Sequence, residues 1–187
     1  MNATARDHHD VEIDGLRRAL PLFEVAPGLR IAVFNLLGDT EVVGAAAEGL
    51  AKRLRSVDAD ALVTAETKSV PLVYELARLL GKPWVVLRKA YKPYMGEALS
   101  EETHSITTGA PQTLFLDEKD KPLVVDRRVV LVDDVISTGS TVEAMRRLMD
   151  AVRATVVAEA AVFTEGDAPR QDEVISLGHL PLFEARP

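Results

Sequence analysis

Val129-Val-Leu-Val-Asp-Asp-Val-Ile-Ser-Thr-Gly-Ser-Thr141 opens as an uninterrupted apolar run, closes on two adjacent carboxylates and passes into a turn of small hydroxyl-bearing residues. The helical spacing that follows, from about Thr141 to Val152, makes this a strand, a tight turn and a helix in succession. An uninterrupted apolar strand has no polar face to give to water, so it predicts a sheet covered on both sides. The turn has a second property. The main-chain N–H groups of Ser137, Thr138, Gly139, Ser140 and Thr141 and the hydroxyls of Ser137, Thr138 and Thr141 sit at a helix N-terminus, where the dipole adds positive character and a phosphate dianion can be held. Gly139 lets the backbone come close to such a ligand. Charge-assisted hydrogen bonds contribute about 1.5 to 3 kcal/mol each, against about 0.3 to 1 for the dipole, so the individual donors dominate anchoring. Asp133 and Asp134 then face the other end of a sugar phosphate: paired acids accept hydrogen bonds from vicinal hydroxyls and help to hold a magnesium ion. Taken separately, the acids fit a surface turn and the hydroxyl run fits a bare helix cap; the two joined between strand and helix favour the ligand. The Gly-Lys-Ser/Thr ending of a Walker loop is missing, which disfavours nucleotide triphosphate hydrolysis.

Outward from this stretch the same alternation recurs. Val43, Ala46, Ala47, Leu50 and Leu54 form one face of a helix over 41–55, with Asp39 or Thr40 available as its cap. Ala61–Thr64 is a short apolar strand, Glu66–Lys68 a polar loop, and Pro71 to Gly81 a helix framed by proline at its start and glycine at its end. Trp84–Leu87, Thr113–Leu116 and Ala154–Phe163 read as further strands. Strands alternating with helices predict an α/β fold with a parallel sheet flanked by helices, whose ligands bind at the carboxyl ends of the strands. The loops after Thr64, Leu87 and Val132 should therefore converge. Residues 90–112, rich in Pro, Gly, Ser and Thr, read as a mobile flap. A single domain is expected over 1–187, with the core at about 36–165 and a small accessory layer, or hood, from 1–35 and 166–187.

Composition narrows the function. With 22 basic against 29 acidic residues the net charge is −7, which argues against nucleic acid as a partner and for a small anionic ligand. The absence of cysteine excludes disulfides, thiolate metal sites and cysteine nucleophiles. Met1–Asp14 contains no apolar stretch like a signal peptide, and no run approaches the roughly 18 apolar residues of a membrane helix. The expectation is a soluble cytoplasmic protein with no membrane partner.

The stretch 129–141 resembles the 5-phosphoribosyl-1-pyrophosphate signature of the type I phosphoribosyltransferases, and the similarity runs over most of Leu36 to Phe163, closest in pattern to the adenine phosphoribosyltransferases and related bacterial proteins. The resemblance implies a five-stranded parallel core with a hood and a flap, magnesium dependence, a homodimer, and transfer of phosphoribosyl to a purine base, adenine first, with inversion through an oxocarbenium-like state. It places a pyrophosphate-binding loop at Glu66, Thr67, Lys68 and Ser69, and a basic pair that reaches the pyrophosphate at Arg88 and Lys89, with Lys92 nearby. Fixed cations there would stabilise the charge that bond cleavage leaves on pyrophosphate. It also sets Val135 against the base, with Ile31, Val33 and Phe34 as an opposite wall, and matches residues 90–112 to a flap that excludes water on closing.

The chain departs from the family pattern at three places. Thr107, in Ser105–Gly109, stands where adenine enzymes carry a glutamate that handles the base's proton. Ser137 stands where the hypoxanthine-guanine relatives carry an aspartate, and Ser69 where glycine is common. Glu97, Glu101, Glu102 or His104 remain as proton-handling candidates, while His8, His9 and His179 read as surface residues. Beside the enzyme stand two other readings: a non-catalytic regulatory protein that binds 5-phosphoribosyl-1-pyrophosphate, which the missing acids favour, and an unrelated sugar-phosphate enzyme such as a pyrophosphate-transferring synthetase, for whose added nucleotide domain the chain is short.

Overall fold

The apolar runs of the sequence become the centre of the protein, which the structure, a computed structural model, describes over residues 7–103, 112–167 and 171–184. In chain order the elements are β1 (His8–Ile13), β2 (Leu16–Ala26), β3 (Leu29–Ala32), α1 (Thr40–Leu54), β4 (Ala61–Ala65), α2 (Val70–Leu80), β5 (Trp84–Leu87), β6 (Leu99–Thr103), β7 (Gln112–Leu116), α3 (Lys121–Val124), β8 (Arg128–Ile136), α4 (Ser140–Ala151), β9 (Thr155–Glu165), β10 (Ile175–Leu180) and β11 (Phe183–Glu184). A five-stranded sheet runs in the order β10-β9-β8-β4-β5, and every pairing in it is parallel. Alternate side chains of each strand leave on opposite faces. Leu62, Val130, Val132, Ala160 and Val162 accordingly pack with Leu50 of α1 and Leu72 and Leu76 of α2. Ala61, Val63, Val129, Leu131 and Ala161 pack with Met145, Leu148 and Met149 of α4. Each buried Val or Leu contributes about 1.5 to 3 kcal/mol relative to exposure, which is why helices cover both faces.

The helix ends follow their sequence signals. Asp39 caps α1 by accepting a hydrogen bond from the Val42 amide at 3.1 Å. Gly81 ends α2 in a left-handed conformation, φ 64°, and donates its N–H to Ala77 O. The α4 helix begins at Ser140, one residue before the expected start.

Two expectations need correction. Thr113–Leu116 is a strand, but it lies outside the parallel sheet: β7 pairs antiparallel with β6, and its Phe115 bridges to Arg88 just beyond β5. The fifth parallel strand is instead β10, from the tail assigned to the hood. Its sequence, Ile-Ser-Leu-Gly-His-Leu, is a weak strand signal because of the glycine, yet Gly178 packs closely on its neighbour, since a Cβ there would stand 3.0 Å from the Phe163 ring. Residues 90–112 are also not structureless where described. Pro93–Met95 forms a 3-10 turn that buries Met95 completely, and Leu99, Leu114 and Leu116 join the α4 side of the core. Residues 104–111, including His104 and the Ser105–Gly109 segment with Thr107, lie outside the described residues.

The accessory layer is an antiparallel sheet of order β1-β2-β3-β11. It is tied to the core by Arg18, whose Nε donates to Asp39 at 2.9 Å, and by Lys52, which pairs with Asp14 at 2.6 Å. Among the described residues no helix is long and apolar enough to cross a membrane.

At the opposite end of the sheet Asp60, just before β4, accepts hydrogen bonds from the Arg128 amide at 2.9 Å and from its guanidinium at 3.1 Å, fixing the starts of β4 and β8 against each other. Arg128 holds the Asp60 carboxyl down at about 2, from an ordinary 3.8. A depressed acid stabilises the fold above its unfolded pKa and loses that contribution as pH falls toward the folded value. Urea unfolding of the wild type and Asp60→Asn should therefore show a gap at neutral pH that narrows between pH 3.8 and about 2.

Candidate functional site

Three strand ends meet at the carboxyl edge of the sheet, and buried polar groups mark the place. Among the described residues three buried side-chain polar atoms have no hydrogen-bond partner, and two of them, Thr64 Oγ1 and Asp134 Oδ2, lie near the ends of the adjacent strands β4 and β8. An orphaned carboxylate oxygen is costly in an interior, so it indicates a group that arrives with a ligand. The nearest cation to Asp134 Oδ2 is Lys68 Nζ at 3.8 Å, an ion-pair distance too long for a hydrogen bond.

Asp133 and Asp134 lie inside β8, which continues to Ile136, so the acids interrupt the strand rather than terminate it. Asp133 Oδ1 accepts the Ser69 hydroxyl at 2.7 Å and the Asp134 amide at 2.9 Å. Burial and then the neighbouring Asp134 charge push the Asp133 carboxyl well above the usual range, while the Ser69 hydrogen bond works against them. Such a pair is suited to a divalent cation or to sugar hydroxyls, either of which relieves the repulsion. Among the described residues no cluster of three or more His, Cys, Asp or Glu side chains gathers as a metal cage. Asp133 and Asp134 nevertheless fit magnesium, which binds through one or two carboxylates and fills its octahedron with water and substrate oxygens.

Beyond the acids the chain forms a small cup of about 40 Å³ lined by Asp133, Val135 and Ile136 and by the run Ser137 to Val142. Gly139, at φ 79°, occupies the N-cap of α4 and, as a glycine, makes no side-chain cap hydrogen bond. The first-turn amides therefore retain their capacity for an external acceptor. Thr138 Oγ1 and Ser140 Oγ stand 3.5 Å apart at the rim.

The loop after β4 approaches from the side. The Glu66 amide donates to Leu87 O at 2.9 Å, prolonging the β4–β5 pairing, and the Glu66–Thr67 peptide is cis. Thr67 and Lys68 are exposed, whereas Ser69 is buried. The Glu66 carboxylate is turned to its neighbours: it accepts from Arg88 Nε and from the Lys89 amide, the latter at 2.8 Å. Arg88 is thereby engaged with Glu66, which raises its already high pKa, while Lys89 and Lys92 are exposed.

Other sequence candidates fall elsewhere. Glu101 pairs with Arg147 Nε of α4 at 2.6 Å, and Arg147 also donates to Glu102 O at 2.7 Å, so β6 is clamped to the helix that begins at the cup. The Phe34 ring packs edge-on against Phe163, with centroids 5.0 Å apart, inside the core rather than as an open wall. Val135, Ile31 and Val33 are half-buried. His179 is exposed, but its Nδ1 lies 3.0 Å from the buried Thr164 hydroxyl. Glu165, at the end of β9, was missed. Burial pushes its carboxyl up, with His179 and Lys68 opposing. The signal was available, since an acid closing an apolar strand is the pattern that singled out Asp133.

A parallel sheet whose central strand carries an acid pair and leads into a helix start with glycine at its N-cap defines an α/β protein with its candidate site at the carboxyl edge of the strands. The comparison with known families sharpens this: the chain belongs to the type I phosphoribosyltransferases, the Phosphoribosyl transferase domain family matching residues 37–176. It is similar to the purine biosynthesis transcriptional repressor PurR of Bacillus subtilis, 28% identical over 156 residues, 82% of this chain and 54% of the repressor, so that it spans about half of that relative's length. It is similar as well to the adenine phosphoribosyltransferase of Butyrivibrio fibrisolvens, 31% identical over 140 residues, 74% of each protein. Among solved structures, the adenine phosphoribosyltransferase of Thermoanaerobacter pseudethanolicus superposes with a TM-score of 0.66 at 26% identity, over 77% of this chain and 84% of that one.

Gly139→Ala would let the free turn relax out of a left-handed conformation that an L side chain disfavours by about 1 to 2 kcal/mol, a cost that ligand binding then has to repay. Calorimetric titration with ribose 5-phosphate should show an affinity loss of about tenfold, equivalent to about 1.4 kcal/mol, with an unchanged far-ultraviolet dichroism spectrum.

Proposed function

We propose that this protein transfers the phosphoribosyl group of 5-phosphoribosyl-1-pyrophosphate to a purine base, adenine first, releasing pyrophosphate and a nucleoside monophosphate, as a cytoplasmic homodimer. The observation that carries the reading is the continuous unit from Asp133 to Thr141, in which an acid pair with an orphaned oxygen adjoins an amide-lined cup. In this reading the hydroxyls and amides of Ser137 to Thr141 hold the 5-phosphate, and Asp133 and Asp134 accept the ribose hydroxyls. Asp133 and Asp134 would also hold magnesium, which supplies charge neutralisation to the pyrophosphate oxygens. The Thr67 to Ser69 loop, with Lys68, Arg88 and Lys89, surrounds the leaving group. The C1–O bond breaks with its electron pair going to pyrophosphate, and a base nitrogen supplies the pair that forms the new bond to C1 as the base gives up an N–H proton to water or to the departing pyrophosphate. Val135 lies beside the base.

The second reading is a protein that binds the activated sugar without turning it over. It is favoured by the extent of the match to the Bacillus repressor, by Thr107 and Ser137 at the two positions where relatives carry an acid, and by the engagement of Glu101 with Arg147.

Pyrophosphate release measured with 5-phosphoribosyl-1-pyrophosphate, magnesium and a panel of purine and pyrimidine bases separates the two. The enzyme reading expects turnover with a purine, and binding of the sugar with no turnover on any base contradicts it. Asp134→Ala should reduce release about 10- to 100-fold, the scale of one or two charge-assisted hydrogen bonds, whereas Glu143→Ala on the outer face of α4 should change it little.

A further inference from the structure

We propose that Ser69 is a positioning residue that couples the leaving-group loop to the two acids, so that the pyrophosphate and ribose subsites are ordered together; this rests on the reading of the site given above. Ser69 occupies the N-cap of α2, where a serine hydroxyl ordinarily accepts from an amide of the first turn and stabilises the helix by about 1 kcal/mol. It makes no such bond. Its backbone is helical, φ −76° and ψ −8°, rather than the extended conformation of a capping serine, and no side chain caps the helix. The hydroxyl is turned across to β8 instead, where it donates to Asp133 Oδ1 at 2.7 Å. At 2% exposure it has no water competing for that contact. The same oxygen receives the Asp134 amide at 2.9 Å, so one carboxylate atom joins the loop, the start of α2 and the acid pair.

The adjacent residue behaves differently. Lys68 is half-exposed and stands 3.8 Å from Asp134 Oδ2 without a hydrogen bond, a contact that an arriving pyrophosphate exchanges at little cost. The loop thus has one fixed pin and one movable cation. With the pin in place, a ligand that orders the acids also orders the loop amides, and the second ligand meets a site already arranged; this is a coupling free energy between two subsites. Glycine, common in the family at this position, has no hydroxyl with which to make the pin, so the coupling belongs to this chain's own sequence.

The test is calorimetric titration of the whole chain with magnesium pyrophosphate, in the absence and presence of saturating ribose 5-phosphate. The ratio of the affinity with the sugar to that without it should be about tenfold larger in the wild type than in Ser69→Ala, and Ser69→Thr, which keeps the hydroxyl, should retain the wild-type ratio. Thermal melts establish that both variants fold. An unchanged ratio in Ser69→Ala overturns the proposal, as does a ratio lost equally in Ser69→Thr. If the wild type binds neither ligand, the reading of the site itself fails and takes the coupling with it, an outcome distinct from an unaltered ratio.

Discussion

Two carboxylates on adjacent residues of a buried strand repel each other and have been withdrawn from water, and the surrounding architecture is organised around that problem. Among the described residues neither acid has an arginine partner, although Asp39, Asp60, Glu66, Glu75, Glu101 and Asp126 are paired with arginines elsewhere. Asp133 is given one hydroxyl and one amide, and Asp134 Oδ2 only a lysine at 3.8 Å, with no hydrogen bond. A fold that satisfies its acids so readily in other places leaves these two under-compensated where three loops converge. That is the electrostatic condition on which the proposed binding of ribose hydroxyls and a cation rests.

The parallel sheet places this pair. Because β8 is central, with β4 on one side and β9 on the other, both faces of the strand are dry and its end faces a crevice rather than a surface. The α4 helix starts three residues after the strand ends, and Gly139 turns the chain so that the helix presents open amides beside the acids. Acceptors for hydroxyls and donors for phosphate are thereby set at the two ends of one short segment, a separation of charge that matches a ribosyl phosphate.

Much of this was legible in the residues. The unbroken run Val129–Val132 fixes a strand buried on both faces, Asp39 and Gly81 punctuate their helices, and the 133–141 segment carries its chemistry in its composition. The fifth strand was not legible, because β10 carries a glycine at its centre and Gly178 packs against the Phe163 ring, a tertiary contact that no periodicity reports. The β6–β7 hairpin was hidden for the same reason: Leu99–Thr103 is polar apart from its first residue, and it is held by Arg147 from a helix 46 residues away in sequence from Glu101. Ser69 reads as a departure from a family pattern until its hydroxyl is seen on Asp133. Spacing along the chain identifies which groups reach the carboxyl edge of the sheet; only the packed structure shows which of them touch.

In the proposed function the amides after the acid pair grip the phosphate of a ribosyl ligand. The most direct measurement is a nitrogen–proton correlation spectrum of the isotopically labelled protein during titration with ribose 5-phosphate. The largest displacements should fall on the amides of Ser137 to Val142, with smaller ones at Asp133 and Asp134. Saturation of those amides' signals without movement, while residues at the far end of the sheet shift instead, would contradict it.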